Sequence, residues 1–314
     1  MRYTTNNVAI IVPTKDRPDQ LYNLLNSLIL QEVSYGRIII VDGGNSVEGL
    51  VLGFKDKLPI EYYTCSPPGQ IRQKNMGLSK LNPQDLLVCY FDDDIVLEKD
   101  AFKNMINYWN QVDSDTAGIC FNIVNEAPPP FSWFGKFIFF SSSMPGKVLA
   151  SGRSTSLANI KENIRSEWLG GGYTIWKHDI LKKYAQENLN TNWAIGEDLK
   201  FSYPIGKKYP LFVCADAKVR HEHIYDQYPK KSIYKIRGFK ETVFIIHFVQ
   251  INPNLSQLTC LWMLSTSMIS RICFGLITMK YRYIGYAIGQ FKGIFNWFIS
   301  VLGFKEIVTS LDDW

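Results

Sequence analysis

Buried-strand and amphipathic-helix patterns alternate along the first third of the chain. Residues 8–12 and 37–41 are continuous apolar runs, typical of strands covered on both faces of a sheet. Between them, apolar residues recur at helical spacing and predict a helix over 19–31. We expect Pro13 to end the first strand, further strands at 60–64 and 85–91, and a helix at 70–80. This βαβαβ order predicts a right-handed parallel α/β layer.

The last third of the chain changes to long helical patterns, starting near residue 232. Residues 255–279 are largely apolar, but Arg271 interrupts them, and the stretch before it is shorter than a spanning helix needs. We therefore expect an interfacial amphipathic helix or a re-entrant hairpin, with a spanning helix and an ordinary soluble core as alternatives. The predicted organisation is an α/β domain over 1–229 and an apolar, basic helical region over 230–314.

The net charge of +5 is unevenly placed. Residues 230–306 contain ten Lys or Arg and only two acids, Glu241 and Glu306. A segment that is both basic and apolar favours an anionic membrane surface over nucleic acid, for which the sequence shows no binding motif. The six cysteines form no CxxC pair and predict reduced core thiols, and the first residues lack a secretory signal. These features predict a cytoplasmic protein at the inner face of the cell membrane.

Three aspartates, Asp92, Asp93 and Asp94, follow the apolar strand pattern at 85–91. Adjacent carboxylates repel one another, and the carboxyl edge of an α/β sheet is where ligands bind. A divalent cation with oxygen ligands, Mg²⁺ or Mn²⁺, would offset the repulsion and leave positions for substrate phosphates. The structural alternative is a solvated acidic turn or a helix N-cap.

Further polar residues follow apolar runs. Asp42 ends the second predicted strand and could accept hydrogen bonds from a nucleobase or ribose, or be a turn residue. Glu197 and Asp198 could supply a general base, or be acids at a helix N-terminus. The pair His221 and His223 could bind a ligand from one face of a strand, although a structural role is the commoner one. Three tryptophans could stack on sugar rings or fill the core: Trp133, Trp168 and Trp193.

In combination and order, these motifs over roughly 7–225 resemble bacterial glycosyltransferase family 2. The matching segments are residues 8–18, the second-strand end 39–46, the Gly-Gln-Ile-Arg-Gln-Lys-Asn-Met-Gly stretch 69–77, the Asp triplet, the Gly-rich 168–173, Gly196-Glu197-Asp198 and Val219-Arg220-His221. Two positions depart from the family pattern: Gly43 stands where a further Asp is usual, and Lys74 where Arg is usual. The resemblance implies a GT-A fold. This is a Rossmann-like domain that transfers a sugar from a nucleoside diphosphate donor.

The resemblance also implies roles for individual residues. Nucleotide contacts would come from Pro13, Thr14, Arg17, Asp42, Arg72, Lys74 and Asp92. Asp94 would bind the metal, Mn²⁺ or Mg²⁺, with His221 at the metal or diphosphate. Asp198 would be the catalytic base, and the contacts to acceptor or donor sugar would come from Asp93, Gly171, Gly172, Glu197 and Trp168.

The implied activity is an inverting, metal-dependent transfer from a UDP-, dTDP- or GDP-linked sugar to a hydroxyl of a glycan or lipid-linked acceptor, in bacterial cell-surface polysaccharide synthesis. Two alternatives stay open at this point. A nucleotidyltransferase that makes sugar nucleotides also uses metal-bound acids, but residues 13–17 lack the glycines of its first loop. A membrane-associated protein that binds glycans or nucleotides without turnover is the other alternative.

Overall fold

The computed structural model describes residues 2–45, 47–127, 132–186, 195–222 and 231–302, so the predicted roles of Trp193 and His223 lie outside the described residues. The chain divides into two compact units. The first, the α/β unit, comprises Met1–Pro128, Ser156–Trp193 and Glu197–His223. The second, the helical unit, comprises Pro129–Thr155, Ala194–Gly196 and Ile224–Trp314. The helical unit thus takes in two segments that precede the boundary predicted at residue 230.

The α/β unit is built on one mixed sheet. Its strands are β1 Val8–Thr14, β2 Arg37–Asp42, β3 Ile60–Thr64, β4 Leu87–Phe91, β5 Ile95–Leu97, β6 Gly118–Ile123, β7 Ile164–Ser166, β8 Tyr173–Lys177 and β9 Leu211–His221. Their order is β3-β2-β1-β4-β8-β6-β9-β5, and β7 also pairs with β9. The helices of this unit are α1 Pro18–Ile29, α2 Glu48–Leu52, α3 Gln70–Leu78, α4 Ala101–Trp109, α6 His178–Lys183 and α7 Glu197–Gly206.

The first four strands form the predicted parallel layer, with β1 between β2 and β4. The expected end of β1 at Pro13 was wrong by one residue. Pro13 and Thr14 still pair with β2, opposite Val41 and Asp42, whereas the ladder with β4 ends at Ile11. The missing N–H of Pro13 therefore falls beyond the β1–β4 ladder, where it breaks no pairing on that side.

The other half of the sheet is mostly antiparallel. Strand β8 runs antiparallel to both β4 and β6, and the long β9 pairs in parallel with β6 and antiparallel with β5 and β7. Apolar side chains fill both faces, as the continuous runs predicted: Ile10 and Val12 pack in one buried cluster and Ile11 in another. The carboxyl ends of β1 and β4 consequently lie beside the start of β8 at one edge.

The helical unit contains a short helix α5, Trp133–Phe137, and three long helices, α8 Lys231–Ile251, α9 Gln257–Thr278 and α10 Tyr281–Val301. Helices α8 and α10 pack closely: Gly293 of α10 lies so near Thr242 of α8 that a Cβ at this position would collide with it. Helix α9 is the one described helix long and apolar enough to cross a membrane, and only 28% of its most apolar stretch is buried. A single such helix is weak evidence for a span.

The cysteines are all free, and five of the six are buried as predicted. Cys273 is exposed, so the prediction of a core thiol was wrong there. It lies in α9 among exposed apolar residues such as Ile272 and Phe274. An apolar sequence context indicates burial only where a partner element covers that face of the helix.

Candidate active site

The aspartate triplet lies at the sheet edge where β4 ends. The backbone N–H of Asp92 donates to the Gly172 carbonyl at 2.8 Å, which ties the triplet to the start of β8. A side chain at Gly172 would collide with the Asp92 carboxylate. The amide of Gln70, in the first turn of α3, donates to Asp92 Oδ1 at 2.9 Å. This close approach gives Gly172 a physical reason to be glycine.

Asp93 is buried and fixes the loop that follows β1. Its carboxylate accepts hydrogen bonds from Thr14 Oγ1 at 2.8 Å and from Arg17 Nη1 at 3.1 Å. Burial raises the pKa of Asp93 to about 6, although the Thr14 hydrogen bond and the Arg17 charge act in the opposite direction. The three residues predicted to contact nucleotide or sugar thus hold one another in place.

Asp94 faces His221 at the end of β9. Asp94 Oδ1 lies 3.2 Å from His221 Nε2, and Glu126 Oε1 lies 3.1 Å from His221 Nδ1. Burial lowers the pKa of His221, but the hydrogen bonds to Asp94 and Glu126 outweigh it and raise the pKa to about 9. A carboxylate on the second ring nitrogen is the usual partner that orients a metal-binding histidine.

A divalent cation fits this donor set as a site completed by substrate. Among the residues that the structure describes, no group of three or more His, Cys, Asp and Glu side chains is arranged to hold a metal ion. Asp94 and His221 would supply two ligand atoms, and Mg²⁺ is commonly held by one or two carboxylates together with substrate phosphates and water. The pair therefore suits a metal that arrives with a diphosphate.

An open pocket of about 380 Å³ lies next to these groups. Its walls come from the loop after β1, the first turn of α3 and the aspartate triplet: Pro13, Thr14, Lys15, Arg17, Pro68, Gly69, Gln70, Gln73, Asp92, Asp93 and Asp94. Gln73 braces this wall, since its amide donates to the carbonyls of Thr14 and Val41. Five residues predicted to bind nucleotide or metal are thus gathered in one pocket with Asp93, and the start of α3 offers backbone N–H groups suited to an anion.

Lys74 is buried beside a second group of acids. Its ammonium donates to the Gly171 carbonyl at 3.1 Å and lies 3.7 Å from Glu197 Oε1. Burial lowers the pKa of Lys74, but the charges of Asp92, Glu197 and Asp198 outweigh that effect and raise it. The ammonium is therefore charged and shared among the carboxylates of two different elements.

Glu197 and Asp198 lie in the first turn of α7, as the sequence suggested. Burial raises the pKa of Glu197 to about 7, against the lowering effect of Lys74. Burial also raises the pKa of Asp198; Lys74 and the backbone hydrogen bonds of Gly171 and of Asp198 itself lower it in part. A carboxylate whose pKa is raised is a stronger base than an exposed one, and such groups are suited to general base catalysis.

The glycine-rich segment before β8 lies between the two acidic groups. A Cβ on Gly171 would come within 2.8 Å of Asp198 Oδ1. Lys74, Gly171, Glu197 and Asp198 line a narrow cavity of about 20 Å³, room for about one water molecule. Ser202 ties this segment to α7, because its hydroxyl accepts from Leu169 N at 2.9 Å and donates to the Asp198 carbonyl at 2.6 Å.

Five predicted residues line neither pocket: Gly172 and His221, whose contacts are given above, and Asp42, Arg72 and Trp168. Asp42 is buried, and its carboxylate accepts from the backbone N–H groups of Gly44 and Val47 and from the Tyr62 hydroxyl. Arg72 donates to the carbonyl of Pro67 at 3.0 Å. Trp168 is partly buried against the core. Their roles in nucleotide or sugar binding stay predictions.

Four residues of the site were missed from the sequence: Gln70, Gln73, Glu126 and Ser202. Glu126 follows β6 by three residues, so it carries the same signal as the triplet, an acid after a buried strand. Gln70 and Gln73 lie within the stretch 69–77, but an uncharged amide gave no reason to choose them. Ser202 carries no such signal, since a serine inside a helix is ordinary.

The comparisons with known proteins agree with this fold. Residues 9–160 match the sequence model described as glycosyl transferase family 2. The O-antigen chain rhamnosyltransferase RfbN of Salmonella typhimurium is 21% identical over 223 residues, which cover 69% of this chain and 67% of RfbN. This chain is an enzyme, a nucleotide-sugar-dependent glycosyltransferase with a GT-A fold, and its residues 9–160 are similar to glycosyl transferase family 2.

Solved structures show the same fold. The mannosyltransferase PcManGT from Pyrobaculum calidifontis, in complex with GDP-Man and Mn²⁺, has a TM-score of 0.56 at 12% identity over 92% of this chain and 87% of that one. A structure of TarS from S. aureus has a TM-score of 0.53 at 16% identity over 84% of this chain and 71% of that one. GalNAc-T7 with UDP, GalNAc and Mn²⁺ has a TM-score of 0.53 at 12% identity over 87% of this chain and 57% of that one.

Proposed function

We propose that this protein transfers a sugar from a nucleoside diphosphate to an acceptor hydroxyl with inversion, using Asp198 as the base. The observation that carries the proposal is the arrangement around Gly171 and Gly172. One side of this segment meets Asp92 and the open pocket, and the other side meets Asp198 and Lys74. A donor in the pocket and a base near its sugar are what a direct displacement requires.

In the proposed reaction, Asp198 accepts the proton of the acceptor hydroxyl while that oxygen bonds to the anomeric carbon. The bond between this carbon and the diphosphate oxygen breaks, and the nucleoside diphosphate leaves with the electron pair. Burial and the charge of Asp92 raise the pKa of Asp198, which makes the carboxylate a stronger base than an exposed one. Lys74 acts in the opposite direction, in favour of the ionised form, and donates to the Gly171 carbonyl.

The open pocket is the proposed donor site. Asp92 would bind the ribose, and the loop of Pro13, Thr14 and Arg17 would contact the nucleotide. Asp94 and His221 would hold Mn²⁺ or Mg²⁺, which, when bound, offsets charge on the departing diphosphate. Arg17 now contacts both Asp93 and Asp94, so it is placed to turn toward the diphosphate as those carboxylates take up other partners.

The acceptor is proposed to be a glycan or lipid-linked glycan of bacterial surface polysaccharide synthesis. The similarity to an O-antigen chain rhamnosyltransferase supports this class, and rhamnose becomes a donor sugar to test first. The exposed apolar residues and basic charge of the helical unit support a location on the cytoplasmic surface of the membrane.

The test is nucleoside diphosphate release from a panel of UDP-, dTDP- and GDP-linked sugars, including a rhamnose donor. Each is assayed with Mn²⁺, with Mg²⁺ and with EDTA, for the wild type, Asp94→Asn and Asp198→Asn. We expect one donor to be hydrolysed slowly by water in the presence of metal, and both variants to lose this turnover. Asp179→Asn, an exposed acid at the start of α6, is the matched control and retains it.

Two outcomes would contradict the proposal. Release of pyrophosphate from a nucleoside triphosphate and a sugar phosphate would identify a nucleotidyltransferase instead. Full turnover in Asp198→Asn, with the donor site intact, would show that another group is the base, and Glu197→Gln would be examined next.

A further inference from the structure

Two arginines of the helical unit stack on one phenylalanine. The guanidinium carbon of Arg153 lies 4.6 Å from the centre of the Phe140 ring, and that of Arg271 lies 5.6 Å from it. Arg271 also lies 4.3 Å from the ring centre of Tyr286. Stacking uses the flat face of a guanidinium and leaves its N–H groups, which lie in the plane of the group, able to donate.

Most of these donors have no protein acceptor within the described part of the chain. Arg271 Nη1 donates to Gln290 Oε1 at 3.2 Å, and the Arg153 side chain makes no hydrogen bond to a described residue. A guanidinium carries five N–H donors and cannot lose its charge in a protein. Both side chains are only partly buried, so their remaining N–H donors are accessible to a ligand that supplies acceptors.

The surroundings contain almost no negative charge to balance the pair. Over 132–155 and 231–302 the sequence has eleven Lys or Arg and one acid, Glu241. That carboxylate is already engaged, since it accepts hydrogen bonds from Arg237 Nε at 2.6 Å and from the Tyr286 hydroxyl. The charges of Arg153 and Arg271 also act on Glu241, so one carboxylate is shared among three guanidinium groups. The net positive charge that is left would be balanced by an anion from outside this part of the protein.

We propose that Arg153 and Arg271 bind the phosphate head group of a lipid. Two neighbouring guanidinium groups match the oxygens of a phosphate, which they bind through paired N–H groups. The same unit exposes large apolar side chains that a lipid chain would cover. Phe137 of α5 packs edge-on against Trp262 of α9 at 5.9 Å, and Trp133 on α5 is 77% exposed. An anionic amphiphile satisfies both features, whereas a free phosphate satisfies only the first.

The test measures binding by the full chain to a short-chain phosphatidic acid below its micelle concentration, by calorimetry, with inorganic phosphate titrated in parallel. We expect Arg153→Gln and Arg271→Gln each to weaken lipid binding at least tenfold. Arg282→Gln and Lys292→Gln remove the same charge from exposed positions on α10 of the same unit and are expected to change binding less than twofold.

The parallel arms separate the sources of the phosphate. Lipid binding at least tenfold tighter than that of inorganic phosphate supports the head-group assignment, and comparable affinities would overturn it in favour of a free anion. Equal losses in the α10 controls, or no loss in the arginine variants, would overturn the site altogether. Arg153 lies outside the long helices, so we expect the Arg153→Gln variant to fold. It therefore tests the site even if Arg271→Gln unfolds the protein. Because the readout is binding, its outcome is independent of the proposed sugar transfer.

Discussion

The two units treat their apolar and charged residues in opposite ways. In the α/β unit, the strand residues Ile10, Ile40 and Cys89 are fully buried, and the buried charged groups Asp93 and Lys74 each lie against a group of opposite charge. In the helical unit, Leu258, Ile277 and Met279 are 82%, 81% and 88% exposed. Large exposed apolar side chains often mark interaction surfaces, so the helical unit fits the apolar partner proposed for it, whereas the α/β unit fits the proposed chemistry.

Charge shows the same contrast. The site of the α/β unit brings five carboxylates near Lys74 or Arg17, and burial raises the pKa values of Asp93 and Glu197 to about 6 and about 7. The helical unit has one acid among many bases over its described residues. Concentrated acids suit a metal-bound diphosphate and a proton acceptor, whereas dispersed bases suit an anionic surface.

The largest expected effect is a loss of catalysis that leaves the helical unit unchanged. Asp198→Asn removes the proposed base without changing its shape, and we expect kcat to fall by about a thousandfold, within the range for loss of a general base. Membrane binding and the far-UV circular dichroism spectrum should not change. A loss of less than tenfold, with folding intact, would contradict the assignment of Asp198.

A second substitution tests whether the metal site depends on a residue that touches no substrate. Glu126→Gln weakens the hold on His221 Nδ1, and we expect Mn²⁺ affinity in the presence of nucleoside diphosphate to fall about tenfold, as for other partners of metal-binding histidines. Electron paramagnetic resonance of free Mn²⁺ measures this directly. Asp100→Asn, an acid at the start of α4 in the same unit, is the control; unchanged Mn²⁺ affinity in Glu126→Gln would show that Glu126 is dispensable.

The helical unit can be broken separately. Leu258→Ser combined with Ile277→Ser removes two exposed apolar side chains, and we expect binding to vesicles of anionic lipid to fall about tenfold, because the two side chains, when partly buried at an interface, together contribute about 1.4 kcal/mol. Vesicle flotation measures the effect. Leu52→Ser changes an exposed leucine of the α/β unit and should not alter flotation. Equal loss in both proteins would remove the distinction between the units.

The smallest expected effect is a shift in the pH dependence of activity, and it tests the charge cluster of the α/β unit. Burial raises the pKa of Asp198. As the pH is lowered, its active, deprotonated form is therefore lost at a higher pH than that of an exposed carboxyl. Lys74 lowers that pKa, so Lys74→Gln should move the acidic limb of the kcat/KM profile to higher pH. Lys80→Gln, at the exposed end of the same helix, should leave the limb in place. A limb that does not move in Lys74→Gln would contradict the role given to this lysine.

The sequence predicted much of the catalytic half because its signals are local. Continuous apolar runs identified β1, β2 and β4, and the acids that follow them marked the site edge, since parallel strands end on one side of a sheet. The family resemblance then singled out Asp94, Asp198 and His221. The structure gathers Thr14, Arg17, Asp92 and Asp94 at one pocket, as contacts between the ends of neighbouring strands require.

What could not be predicted depends on which segments meet. The antiparallel pairing of β8 with β4 places Gly172 against Asp92, and no pattern within 168–173 encodes that register. Asp42 has the same position in its strand as the triplet, yet a tyrosine from β3 and two backbone amides use its oxygens. Glu126 acquires its role only because β9 runs beside β6 and brings His221 to it.

By itself the sequence determined the alternation of elements, the acids at the strand ends, the family resemblance and the basic, apolar character of the last third. These depend on the spacing and composition of residues near one another in the chain. Only the tertiary structure decided that Lys74 faces Glu197, that Glu126 holds His221, and that Arg153 and Arg271 share Phe140. Such pairings join residues far apart in sequence, and their electrostatics follow from burial, which is a property of the packed fold.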